Sequence, residues 1–108
     1  MIKQLPATAL NAWLHDSTRV APLLLDVRDP WEQALCSLTD VQSLPMQEIP
    51  ARWSELPRDR DIVVVCHHGM RSLQAAQYLE SVGFERLYNL SGGIAAWADE
   101  VDPSMAQD

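Results

Sequence analysis

Four consecutive β-branched residues, Ile62-Val63-Val64-Val65, run directly into the polar segment Cys66-His67-His68-Gly69-Met70-Arg71-Ser72. β-Branched side chains favour a pleated backbone, and an apolar run without alternation belongs to a strand covered on both faces. Beyond the polar segment, Ala75, Ala76, Leu79 and Val82 recur at helical spacing, and Gly83 supplies a stop. Strand, loop and helix in that order form one unit of an α/β domain, because a parallel neighbour is reached only through a crossover that returns over the sheet.

The remaining segments extend that unit. Pro22-Leu23-Leu24-Leu25-Asp26-Val27 reads as a second buried strand and Leu87–Leu90 as a further short one. Thr8–His15 places Leu10, Trp13 and Leu14 at helical spacing with Thr8 as the cap, and Ile94–Glu100 follows the Gly92-Gly93 turn as a closing helix with Trp97 facing inward. Pro30 opens a short helix through Ala34, and Thr39, Asp40 and Pro45 mark turns around a short strand. Met46–Trp53 reads as a short helix interrupted by Pro50, and Pro57–Asp61 as a polar turn. The predicted architecture is a central, mostly parallel sheet flanked by helices on both faces. With 108 residues and 47% hydrophobic content, the chain fills one core and not two, so a single domain is expected over 1–101, with 102–108 a polar, frayed tail.

The balance of 15 acidic against 8 basic residues gives a net charge of -7, and the basic residues form no stripe, which argues against a nucleic-acid partner. No apolar stretch approaches the length of a membrane span, and the N-terminus soon meets Pro6 instead of a signal core. A soluble cytoplasmic protein with no membrane partner is expected. The two cysteines, Cys36 and Cys66, lack Cys-x-x-Cys spacing and are too few for a disulfide framework; reduced thiols are the expectation, with a Cys36 to Cys66 disulfide as the alternative.

Cys66 is the candidate for chemistry. A cysteine between a buried strand and a helix N-terminus meets backbone N–H groups that lack helical partners, at the positive end of the helix dipole, and both favour thiolate over thiol. The converging N–H groups can also hold an anionic sulfur attached to the cysteine, with Gly69 allowing the sharp turn this needs. The plainer reading, a small apolar residue ending a strand, fits the polar, glycine-containing loop poorly. Arg71 either pairs with a carboxylate at the helix start or binds the oxygen atoms of an anionic substrate. His67 and His68 are adjacent and expected to point differently, so that at most one faces the substrate. Adjacent histidines with one cysteine lack a zinc spacing, so no metal is expected. Asp26 and Arg28, at the end of the neighbouring strand, are placed to shape the site through a buried ion pair or a bond to the Cys66 loop; the alternative is surface solvation. Trp31, Trp97 and Tyr88 are read as packing residues and Cys36 as structural.

The segment Cys66–Ser72 after Ile62–Val65 resembles the active-site loop of the rhodanese family. Leu23-Leu24-Leu25-Asp26-Val27-Arg28-Asp29-Pro30-Trp31-Glu32 resembles that family's earlier strand and its acidic, arginine-containing turn, and Gly83-Phe84 through Tyr88-Asn89-Leu90-Ser91-Gly92-Gly93-Ile94-Ala95-Ala96-Trp97 resembles its C-terminal signature. The likeness covers about residues 8 to 98. Where many members carry a Gly-His-Ile-Pro-Gly-Ala type segment, this chain reads Cys36-Ser37-Leu38-Thr39-Asp40-Val41.

The resemblance implies the rhodanese-like α/β domain and sulfur transfer through a persulfide on Cys66, with His67, His68, Gly69, Met70 and Arg71 binding substrate and Asp26, Arg28 and Ser72 in support. The implied donor is a small anion such as thiosulfate and the acceptor cyanide or a thiol, with a protein sulfur acceptor as a further possibility. Cys36 would resolve the persulfide only if it lay close by. Neither a metal nor a nucleotide or organic cofactor is implied. Related cysteine-dependent phosphatases use a longer loop between cysteine and arginine, and the four residues between Cys66 and Arg71 favour sulfur over phosphate. A persulfide carrier and a noncatalytic regulatory domain are the alternatives.

Overall fold

The computed structural model of the protein describes residues 1–105. In chain order the elements are β1 (Lys3–Pro6), α1 (Ala7–Leu14), β2 (Leu23–Asp26), α2 (Pro30–Leu35), β3 (Val41–Ser43), α3 (Ile49–Arg52), β4 (Ile62–Val65), α4 (Met70–Ser81), β5 (Leu87–Ser91) and α5 (Gly93–Glu100). The strands form one parallel sheet in the order β1-β5-β4-β2-β3. This is the α/β architecture expected from the sequence.

The two strands read most clearly from sequence, β2 and β4, pair at the centre, with Leu23 opposite Ile62 and Asp26 opposite Val65. All their residues are buried. Alternate side chains leave opposite faces of a strand, so the unbroken apolar runs feed two cores. Leu23, Leu25, Ile62, Val64 and Cys66 pack with Ala75, Ala76 and Leu79 of α4. Leu24, Val63 and Val65 pack with Leu10 and Trp13 of α1 and with Ile94 and Trp97 of α5. The same alternation puts the Cys66 side chain on the α4 side of the sheet.

Several local expectations change. β1 was not expected: its mostly exposed residues carry no apolar run, and it exists through parallel pairing with β5, from Lys3 opposite Tyr88 to Pro6 opposite Ser91. Because Pro6 ends that strand with φ -65°, it becomes the residue before α1. The helix therefore starts at Ala7, and Thr8 lies inside its first turn instead of capping it. The segment expected as one helix over Met46–Trp53 is a 3₁₀ turn (Met46–Glu48), then α3, then a second 3₁₀ turn (Trp53–Glu55). Pro50 sits in the first turn of α3, where its missing N–H costs little. Trp97 is buried and Tyr88 meets Trp13 edge-on at 5.1 Å, but Trp31 is 64% exposed and is not a packing residue.

Of the tail expected to fray, residues 102–105 form a turn in which the Asp102 N–H donates to Trp97 O at 2.9 Å and the Met105 N–H to Asp102 O at 3.0 Å; residues 106–108 lie outside the described residues. Among the described residues no helix is long and apolar enough to cross a membrane.

Candidate active site

Because the sheet is parallel, the C-terminal ends of β2 and β4 lie side by side, joined by the Val27 N–H donating to Val65 O at 3.1 Å. Cys66 is the next residue, 1% exposed. The chain then turns through Gly69, which precedes α4 with φ +96°. A side chain there would be strained by the left-handed backbone and would press on Gly92 N and Leu90 O at 3.2 and 3.3 Å. The turn brings the Gly69 N–H onto Cys66 Sγ at 3.0 Å. Met70, Arg71 and Ser72, read from sequence as loop, form the first turn of α4.

A second helix start holds the loop from the other side. The Ile94 N–H donates to Cys66 O at 2.9 Å and the Ala95 N–H to His67 O at 3.0 Å. These first-turn donors of α5 have no carbonyl to bond within their own helix, and the loop supplies them. Two helix N-termini therefore converge on Cys66, one beside its sulfur and one on its backbone.

Arg71 pairs with a carboxylate, one of its two sequence readings. Its guanidinium donates from both terminal nitrogens to the two oxygens of Glu32, each at 2.8 Å. The hydrogen bonds that Arg71 donates to Glu32 raise its hold on its proton above that of an ordinary guanidinium; partial burial opposes them, and the charges of Glu32, Cys66 and Asp29 reinforce them. Glu32 also accepts the Asp29 N–H at 3.1 Å in the capping box of α2, so one carboxylate fixes the start of α2 and ties it to α4. Glu32→Ala is expected to cost about 1–3 kcal/mol in chemical denaturation, through loss of the cap and of a partly buried pair. Glu32→Gln, which keeps an acceptor for the cap, is expected to cost less.

Asp26 and Arg28 are both fully buried and form an ion pair, Arg28 Nη2 lying 2.8 Å from Asp26 Oδ2. Their bonds reach α2: Arg28 donates to Cys36 O at 2.7 Å and to Glu32 O at 3.4 Å. Burial works against the Arg28 charge, but the Asp26 hydrogen bonds and charge outweigh it, and Cys36 adds to them, so the guanidinium keeps its proton more firmly than usual. The pair thus positions α2, α2 carries Glu32, and Glu32 meets Arg71. Asp26→Ala would strand a buried cation, and about 3–5 kcal/mol of stability should be lost in a denaturant titration.

The histidine rings do not diverge as expected. They lie edge to face with centroids 4.0 Å apart, because the chain is turning here and strict alternation holds only in a strand. His67 is half-buried, His68 exposed, and Met70 69% exposed. No disulfide joins Cys36 to Cys66. Among the described residues no group of three or more His, Cys, Asp or Glu side chains is arranged to hold a metal.

Beneath the loop, the Cys66 thiol lies 3.2 Å from Ser72 Oγ and Ser72 Oγ 2.5 Å from Asn89 Oδ1. The Asn89 amide donates to Gly69 O at 3.1 Å and to Gln4 Oε1 at 3.0 Å. Sequence reasoning assigned no role to Glu32, Asn89 or Gln4. A lone asparagine in the middle of the short strand Leu87–Ser91 was the available signal, since a buried amide needs partners.

The sequence matches the Rhodanese-like domain family over residues 6–100. A protein of Allochromatium vinosum named "Sulfurtransferase" is 43% identical over 108 residues, all of this chain and 99% of that protein. The "Thiosulfate sulfurtransferase GlpE" of Vibrio cholerae is 36% identical over 74 residues, 68% of this chain and 70% of that one. A crystal structure of a rhodanese-like domain protein from Staphylococcus aureus superposes with a TM-score of 0.83 at 27% identity, covering 98% of both chains. The fold and its cysteine loop thus define a rhodanese-type α/β domain. The chain belongs to the rhodanese-like domain family.

Proposed function

We propose that this protein is a sulfurtransferase that moves sulfane sulfur from thiosulfate or a related donor to cyanide or a thiol, through a persulfide on Cys66. The observation that carries the reading is the placement of Cys66: its sulfur is buried against the Gly69 N–H at 3.0 Å, at the start of α4. The sulfurtransferase names of the relatives at 43% and 36% identity support it.

In the first half-reaction the Cys66 thiolate attacks the outer sulfur of the donor. A new S–S bond forms, the donor's S–S bond breaks, and sulfite leaves with the electron pair. The first-turn amides of α4, with His67, His68 and Met70 around the loop, receive the anionic outer sulfur. In the second half-reaction an acceptor anion attacks that outer sulfur, and the electron pair of the broken bond returns to Cys66. Asp26 and Arg28 support the site through α2, and Ser72 supports it from beneath. No cofactor takes part in this cycle. We further take residues 1–101 as the functional unit and the cytoplasm as its location.

A second reading, a persulfide carrier serving a protein acceptor, is favoured by the engagement of Arg71 with Glu32, which leaves its guanidinium less available to thiosulfate. Intact-protein mass spectrometry tests both. A gain of one sulfur atom with thiosulfate that cyanide removes supports the enzyme; a persulfide that forms but discharges rapidly only to a protein thiol supports the carrier.

A further inference from the structure

The direction of the Asn89 side chain is settled by its neighbours. Asn89 is buried on β5 opposite Val64. A carbonyl oxygen can only accept, so the atom 3.1 Å from Gly69 O must be the amide nitrogen, which also meets Gln4 Oε1 at 3.0 Å. The amide oxygen is thereby left facing Ser72 Oγ at 2.5 Å. It too can only accept, so the Ser72 hydroxyl gives it its proton. A hydroxyl has one proton, and what Ser72 turns towards Cys66 Sγ, 3.2 Å away, is a lone pair. That arrangement suits a thiol, which donates its S–H to Ser72. A thiolate requires the reverse, a donor in place of a lone pair.

We propose that Asn89 is a positioning residue acting through Ser72: its amide oxygen and the Cys66 sulfur compete for the single Ser72 proton, and the competition sets how readily Cys66 carries negative charge. The proposal rests on the Cys66 persulfide cycle, in which that charge arises twice. It is needed before the thiolate attacks the donor, and it forms again when the persulfide S–S bond breaks and leaves its electron pair on Cys66 Sγ. On both occasions the Ser72 hydroxyl rotates about its C–O bond and donates to the sulfur alongside the Gly69 N–H, while the Asn89 oxygen gives up its donor. Ser72 transfers no proton; it redirects one.

The other groups that set the charge around Cys66 come from three elements. Arg71 faces it from α4, coupled to its charge and held by Glu32 of α2. His67 and His68 adjoin it in the loop, and the Asp26–Arg28 pair lies at the end of the neighbouring strand. All of these remain when Asn89 or Ser72 is replaced, so a change of pH profile on substitution reports the hydroxyl.

The test is the rate of Cys66 alkylation by iodoacetamide against pH, read by peptide mass spectrometry so that Cys36 is scored separately. Asn89→Leu frees the Ser72 proton for the sulfur and is expected to move the midpoint down by about half to one pH unit, the size of one redirected hydrogen bond. Ser72→Ala removes the donor and is expected to move it up by a similar amount. In the Ser72→Ala background, Asn89→Leu is expected to have no further effect. Shifts in the same direction, no shift in Asn89→Leu, or a full Asn89→Leu effect without Ser72 would each overturn the proposal. If circular dichroism shows that Asn89→Leu does not fold, Asn89→Ala carries the same expectations with less bulk. The titration needs no sulfur donor, so a protein that titrates as expected yet takes no sulfur from any sulfane donor rejects the persulfide cycle and leaves the Asn89 competition standing. One that forms the persulfide without these shifts does the opposite.

Discussion

Cys66→Ser is expected to take up no sulfur from thiosulfate, where the wild-type protein gains one sulfur atom that cyanide then removes. The hydroxyl of serine remains protonated at neutral pH and offers oxygen where the reaction requires a soft sulfur anion, so the sulfur-transfer rate should fall on the order of a thousandfold or more. The fold should survive, because serine fits the space of cysteine and its oxygen can still accept the Gly69 N–H and bond Ser72. Cys36 remains in that variant as an internal control, buried and placed against Arg28. Intact-mass measurement decides the matter: uptake persisting in Cys66→Ser would move the acceptor role to Cys36 and sink the proposed mechanism. No uptake in either protein, across several donors, would favour the regulatory reading.

Gly93→Ala should damage stability and sulfur transfer together. Gly93 has φ +60°, and a β-carbon there would lie 2.5 Å from Cys66 O and overlap the His67 carbonyl. Both obstacles are backbone and cannot swing aside. The left-handed conformation costs a non-glycine residue about 1–2 kcal/mol, and the overlap forces α5 away from the loop, so a total above about 3 kcal/mol is expected. The retreat would also break the Ile94 and Ala95 bonds to Cys66 O and His67 O, so persulfide formation should fall even in molecules that stay folded. Gly83→Ala is the control. It has φ +102°, but its added carbon meets the far end of the Arg58 side chain, which can move, so only the left-handed cost of about 1–2 kcal/mol is expected. Thermal melts of equal depth for the two variants would refute the close-approach argument.

The sequence made β2, β4, α4 and α5 legible because each carries its signal locally: a β-branched or leucine run, a helical period, a glycine stop. The cysteine loop was legible for the same reason, as polar residues and a glycine wedged between two such signals. β1 was not, because Lys3, Gln4 and Pro6 say nothing of a strand until β5 offers them a partner. Thr8 was read as a cap because the strand that carries Pro6 to the helix start was not visible. The site was half legible. Cys66 and Gly69 could be read in their loop, but Ser72 lies in the first turn of α4 where the sequence suggested loop, Arg71 finds Glu32 across 39 residues and Ser72 finds Asn89 across 17, and pairings of that kind follow from topology alone.

The contact between Gln4 and Asn89 joins residues 85 apart in sequence, and the β1–β5 ladder around it closes a loop more than twice as long as the β2–β4 pairing does. Loop closure costs about 0.6 kcal/mol more for each doubling of length, and pairings of long range slow folding. A ribosome emitting this chain from its N-terminus delivers β1 first, yet the strand has nothing to pair with until β5 has followed. The Asn89 amide beneath the cysteine therefore gains its full set of partners only when β1 has paired with β5. Until then the thiol belongs to a chain whose sheet edge is still open.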